Sequence, residues 1–140
     1  LSLHDALPIW KPPARAVWAN VPRPRYTGPT MDVKTAIAAR DGHVCVICGC
    51  PGTTLDPLVP HHRRGRGAGG SKDPATNLPS NLLALCARDN HWLEDSTDPA
   101  HYANGWKVRR NGVRAPSDVP VLYPDGHLYL LTHDARKVPA

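Results

Sequence analysis

Two histidines stand side by side at His61-His62, and a third follows at His91. Between them Asn81 precedes a short apolar run, Leu82 to Leu85, which ends on Cys86. Imidazole has an unperturbed pKa of about 6.5, so it can take a proton near neutral pH or bind a divalent ion. Adjacent side chains on a strand point to opposite sides, so one ring of such a pair can bind metal while the other faces a water molecule. Hydrolysis of a phosphodiester needs that combination: an activated water, charge stabilisation at phosphorus and help for the leaving oxygen. Thiols supply a second kind of chemistry. Cys45-x-x-Cys48 places two thiols close together, and Cys86 follows downstream, so four Cys and eight His in the chain make a bound metal the natural candidate.

The order CxxC, HH, N-L-L-A-L-C, H resembles the HNH endonuclease family, most closely its small bacteriophage and actinobacterial members. The resemblance implies an α+β protein with a ββα-metal (His-Me finger) core. It makes His61 a metal ligand, His62 the general base and His91 the second protein ligand. Asn81 joins His62 in the catalytic set, its amide holding the loop that orients the base. Two neutral imidazoles leave positions for water and phosphate oxygens, which suits Mg2+, Mn2+, Ni2+ or Zn2+. The implied activity is metal-dependent cleavage of double-stranded DNA, leaving 5′-phosphate and 3′-hydroxyl ends. In phages it implies a role beside DNA-packaging proteins or in the spread of mobile elements. The remaining histidines, His4, His43, His101, His127 and His133, fit no motif and are expected on the surface or in turns.

The thiol pattern departs from the family at one position. Cys45, Cys48 and Cys86 match, but Asp89 stands where a fourth cysteine belongs. A carboxylate can ligate zinc, and Cys50 or a water competes for the same position. Loss of the zinc, with the cysteines kept as small buried hydrophobes, is the remaining alternative. Arg63, Arg64, Arg66 and Lys72 fall in the loop after the histidine pair, and Arg88, Lys107, Arg109, Arg110 and Arg114 extend the basic set. These are the expected phosphate contacts, which supply affinity without sequence information. The loop glycines would allow a duplex to come close.

Several short elements must position these groups. Residues 1–9 (LSLHDALPI) resemble the translation of a common short-read sequencing adapter and are set aside as a scar. Residues 1–30 form an extended arm, since prolines at 12, 13, 22, 24 and 29 disfavour helix. Arg15, Trp18, Arg23, Arg25 and Tyr26 within it are available to nucleic acid. YTGPT ahead of Met31 resembles the run-in of related phage proteins, which puts the natural start further upstream. Residues 31–105 form the nuclease-like domain. In it, a helix capped by Asp32 stops at Asp41-Gly42, and a strand over 55–60 delivers the histidines. A surface loop covers 63–80, a minimal buried strand 82–85, and a helix capped by Asp89 or Asn90 runs to Asp95 with Trp92 and Leu93 inward. Asp98-Pro99 opens a further short helix, ended by Gly105. Residues 106–140 read as a C-terminal β appendage with turns at Asn111-Gly112 and Pro124-Asp125-Gly126.

Composition fits this reading. The 140 residues include 16 Pro, 11 Gly and no Phe, poor material for a large core, so a metal is the natural staple. Net charge is +5 and the pI about 9.3, which suits a polyanion. No apolar run approaches the ~18 residues of a membrane span. The expected compartment is a reducing cytoplasm, bacterial or phage-infected, where thiols bind metal rather than pair. A zinc-stabilised nucleic-acid-binding module without catalysis is the competing reading.

Overall fold

The computed structural model describes residues 28–67 and 70–140. Arg15, Trp18, Arg23, Arg25 and Tyr26 of the arm, the adapter-like residues 1–9, and Ala68 and Gly69 of the histidine loop lie outside the described residues. What is described is a small α+β protein.

Helix α1 spans Met31–Arg40. Its cap is Thr30, two residues ahead of the expected Asp32: the Thr30 hydroxyl accepts from Val33 N at 3.3 Å, and Asp32 sits in the first turn instead. Asp41 does end the helix, and it does much more. Its carboxylate takes the Arg40 guanidinium at 2.7 Å, the Tyr123 hydroxyl at 2.7 Å and the Ala84 amide at 2.9 Å. Arg40 donates onward to the Pro79 and Leu82 carbonyls. Both charges are buried, and each of their nitrogens and oxygens takes part in a hydrogen bond, the condition under which a buried pair is tolerated. The pair ties α1 to the central strand and to the C-terminal sheet.

Strand β1, Leu58–His62, pairs antiparallel with β2, Leu82–Cys86, in the register Leu58↔Cys86 and His62↔Leu82. The two histidines are therefore part of the strand, not beyond its end. Every residue of β2 is buried, which is why it reads as an unbroken apolar run rather than an alternating one. Helix α2, Ala87–Asp95, follows β2 with no linker and with Cys86 as its N-cap. The sequence suggested a start at Asp89 or Asn90. The earlier start is supplied from a distance: Ala87 N donates to the Pro57 carbonyl at 2.9 Å and Arg88 N to Asp56 Oδ1 at 3.0 Å. Leu93 faces inward as expected, but Trp92 is 48% exposed and lays its ring edge-on to His101 at 4.5 Å. His101 itself is buried, not on the surface, with Nε2 2.7 Å from Ser96 Oγ.

Helix α3, Pro99–Ala103, is capped by Asp98, whose carboxylate accepts from Ala100 N at 2.9 Å. Gly105 follows at φ +72°, where a Cβ would run into the Pro120 carbonyl. The hairpin expected around Asn111-Gly112 does not form. Lys107 N donates to the His101 carbonyl and Val108 N to that of Arg63, so the flanking segments spend their backbone bonds on other elements. The second turn does form: β3, Val121–Leu122, and β4, Leu128–Leu131, flank it. An unforeseen strand, β5 at Lys137–Pro139, completes a three-stranded antiparallel sheet. This sheet is not an appendage. Val121, Tyr123 and Leu131 share one buried cluster with Cys45, Val46, Leu83, Leu85, Cys86 and Leu93. Among the described residues no helix is long and apolar enough to cross a membrane.

Candidate functional site

Two polar clusters lie at opposite ends of the β1–β2 hairpin, and α2 contributes to both. At the Cys86 end the Cys45–Cys48 turn closes with Gly49 N on the Cys45 carbonyl at 2.8 Å, Gly49 taking φ +74°. The thiols of Cys45, Cys48 and Cys86 and a carboxylate oxygen of Asp89 all lie within 4.8 Å of one another. Cys45 Sγ is 3.2 Å from Asp89 Oδ2, and Cys48 Sγ is 3.9 Å from Cys86 Sγ. Zinc–sulfur bonds of ~2.3 Å at tetrahedral angles set sulfurs about 3.8 Å apart, so the donors fit one ion. The cluster could hold a metal ion such as zinc. Asp89 is its fourth donor; Cys50 is not among the four, although it neighbours Cys48, which like Cys50 is exposed.

Burial pushes the Cys45 and Cys86 thiols above their ordinary pKa. Burial also works against the Asp89 carboxylate, but hydrogen bonds from Cys48, Cys45 and Cys86, together with Arg88, outweigh it and hold Asp89 below its usual value. Arg88 lies 3.7 Å from Asp89, at the thiol end of the molecule. Expected as part of the basic phosphate-contacting set, it faces a carboxylate at the end of the hairpin away from the histidine cleft.

At the other end of the hairpin a cleft of about 670 Å3 is lined by His61, His62, Arg66, Asn90, Glu94 and Lys107, among others. His61 is only 5% exposed. Its Nε2 lies 3.0 Å from the Trp106 carbonyl, which can only accept, so Nε2 carries the proton. Burial pushes the ring pKa down to about 4, leaving it neutral near pH 7 with a bare lone pair on Nδ1. That lone pair faces Asn90 Oδ1 at 2.9 Å. The amide is turned this way because Asn90 Nδ2 donates to Glu94 Oε1 at 3.4 Å, one helical turn on. In this tautomer and amide orientation two acceptors face each other, an arrangement that a bound cation would satisfy. Octahedral ligands at ~2.1 Å from a divalent ion stand about 3 Å apart, which matches. A ligating histidine whose other nitrogen is held by a backbone carbonyl is the usual arrangement of such a ring.

His62 lines the same cleft, half-buried, with Nε2 2.9 Å from Asn77 Oδ1. Desolvation lowers its pKa against an opposing contribution from the Asn77 bond. With Nε2–H on Asn77, Nδ1 is the nitrogen left to accept a proton. Asn81 is buried and stitches the surrounding loop: Oδ1 accepts from Arg64 N at 2.8 Å, and Nδ2 donates to the Thr76 carbonyl at 2.9 Å. It thereby fixes the residues on either side of the His62–Asn77 pair.

Besides Arg88, four expected site residues are elsewhere or do something else. His91 points to solvent, its side chain 80% exposed and 3.5 Å from Asp95. One residue along a helix is a 100° rotation, so with α2 beginning at Ala87 the cleft receives Asn90 and Glu94 and His91 is carried away from it. Arg63 is 1% exposed and donates to the carbonyls of Gly105, Ser80, Pro116 and Val119, so it holds the fold and cannot touch a phosphate. Arg64 donates to the carbonyls of Arg109, Gly112 and Arg114, pinning the loop that would have been a hairpin. Arg66 lines the cleft, whereas Lys72 is exposed outside it. Asn90, Asn77 and Glu94 were missed from the sequence; the i, i+4 spacing of Asn90 and Glu94 was the available signal. No protein-family model, curated protein or solved structure matches the chain.

Proposed function

We propose that the chain is a metal-dependent endonuclease that hydrolyses DNA phosphodiesters at the histidine cleft. The observation that carries this reading is the pair of opposed acceptors, His61 Nδ1 and Asn90 Oδ1, with the His62 ring in the same basic cleft. Asn90 takes the ligand role that the HNH resemblance would give to His91. A divalent ion bound there would stabilise charge on the phosphate and on the leaving oxygen. The thiol cluster, in this account, holds a structural zinc.

His62 does the proton work. Its Nδ1 removes a proton from water as the oxygen bonds to phosphorus, and the P–O3′ bond breaks to leave a 5′-phosphate and a 3′-hydroxyl, whose proton comes from solvent. Asn77 fixes the tautomer that makes Nδ1 the base. Asn81 and Glu94 are positioning residues, the first for the base and the second for Asn90. Arg66, Lys107 and Arg110 give the cleft its positive field.

One observation favours the non-catalytic binding module. Among the described residues, the thiol group is the one set of three or more His, Cys, Asp or Glu side chains gathered closely enough to hold an ion. Nicking of supercoiled plasmid across Mg2+, Mn2+, Ni2+ and Zn2+ separates the two. The nuclease reading expects cleavage by the wild type with at least one ion and a loss of roughly 100- to 10,000-fold in His62→Ala, with binding retained. Cleavage by neither protein with any ion gives the binding module.

A further inference from the structure

The arginines of this chain divide sharply by partner. Arg40, Arg63, Arg64, Arg114 and Arg136 donate to carboxylates or backbone carbonyls, and Arg88 faces Asp89. Arg109 lies over the Tyr102 ring at 4.5 Å. Arg66 and Arg110 have no hydrogen-bond or ion-pair partner among the described residues. Both line the histidine cleft, and both also line a second cleft of about 250 Å3 that adjoins it. They stand on the ridge between the two.

We propose that this ridge holds the backbone phosphate next to the scissile one, so that the protein grips two successive phosphates of one DNA strand. The inference rests on the nuclease reading for the identity of the first phosphate. Arg110 is seated for the task. Its guanidinium lies against the open face of Gly67, which has φ +78°; a Cβ there would make the arginine shift. Arg64 fixes the backbone around Arg110 through the carbonyls of Arg109, Gly112 and Arg114. The segment that presents the guanidinium is therefore ordered before any ligand arrives, which lowers the entropy cost of binding. The second cleft also offers a neutral donor. Ser71 Oγ accepts from Asp73 N at 3.1 Å and from the Thr76 hydroxyl at 3.0 Å, leaving the Ser71 proton to be given away. Asp73 lines this cleft too, its Oδ1 accepting from Ala75 N at 2.9 Å, so the two guanidiniums act against one carboxylate charge there. Two guanidiniums and a hydroxyl donor are the chemistry of a phosphate subsite.

The test uses the full chain in the His62→Ala background, with binding to a fluorescent 30-base-pair duplex followed by anisotropy over a salt series. Arg66→Ala and Arg110→Ala should each weaken binding roughly tenfold near 0.1 M salt and reduce the slope of log K against log salt by about 1. Gly67→Ala, whose methyl group would displace the flexible Arg110 guanidinium without removing it, should weaken binding less than Arg110→Ala does, and Arg110→Lys should restore most of the slope. Lys72→Ala, outside both clefts, should leave affinity within about twofold. Ethylation interference on the parent should mark adjacent phosphates of one strand, and Arg110→Ala should lose one of them. Unchanged slopes and footprints in folded Arg66→Ala and Arg110→Ala proteins overturn the ridge, and so does absence of DNA binding by the parent. The two readings fail separately. Arginine-dependent binding without cleavage by the wild type sinks the nuclease and keeps the ridge; cleavage with arginine-independent binding does the reverse.

Discussion

The two ends of the β1–β2 hairpin pose the same problem, polar donors grouped around a point, and solve it in opposite ways. At the thiol end all the donors turn toward one another, and Cys45, Cys86 and Asp89 are buried. Cys48 is the one exposed donor, and four protein donors around one point is the character of a structural metal site. At the histidine end His61 and Asn90 supply two facing acceptors and the rest of the surround is open cleft, so a bound ion would keep positions for water and phosphate. Helix α2 serves both ends from consecutive residues, Asp89 to the thiols and Asn90 to His61. The helix phase that turns Asp89 to the thiols is therefore the one that turns Asn90 to His61.

The largest effect should come from breaking the closed end. Cys45→Ser is expected to lose about one equivalent of zinc per chain and to melt well below the wild type, since metal binding at such sites is itself folding free energy. Elemental analysis and thermal melts check this; an unchanged zinc content and melting temperature would remove the structural ion. Plasmid cleavage should fall with it, because α2 would no longer be clamped at Asp89.

Arg63→Ala comes next. Four carbonyls would lose a charged donor in a buried setting, so destabilisation of roughly 3 kcal/mol or more is expected in denaturant melts. DNA affinity per folded molecule should hold, in contrast to Arg110→Ala. If Arg63→Ala were as stable as wild type and bound DNA poorly, Arg63 would be a surface contact after all.

This arginine shows where the sequence stops being legible. Its neighbours are basic and glycine-rich, and nothing local reveals that carbonyls from positions 80, 105, 116 and 119 converge on it. The same holds for the hairpin read at Asn111-Gly112: the turn signal is sound, but Arg63 and Arg64 take the backbone groups the strands would have needed. The β2 run and the thiol spacing could be read directly, because burial on both faces and paired knuckles leave marks within a few residues. The choice between Asn90 and His91 could not. It depends on helix phase, and Asp56 and Pro57, thirty residues upstream, set that phase.

A smaller effect concerns pH. Desolvation holds the His62 ring below its ordinary pKa, so the unprotonated base persists to lower pH. The acidic limb of the kcat/KM profile should therefore have its midpoint below about 6.5, with activity lost only as pH falls through that lower value. A midpoint above 6.5 would show that the base is another group or that His62 is more exposed to water than its surroundings here require.

The pairing of His61 with Asn90 is tested most directly by plasmid nicking over a metal titration, comparing Asn90→Ala with His91→Ala. The account predicts that Asn90→Ala needs at least tenfold more metal for half-maximal cleavage, as loss of a ligand or its support usually costs ~10- to 100-fold. His91→Ala should stay within about twofold of wild type, in keeping with a side chain that is 80% exposed to solvent. The reverse result, with His91→Ala crippled and Asn90→Ala active, would contradict it.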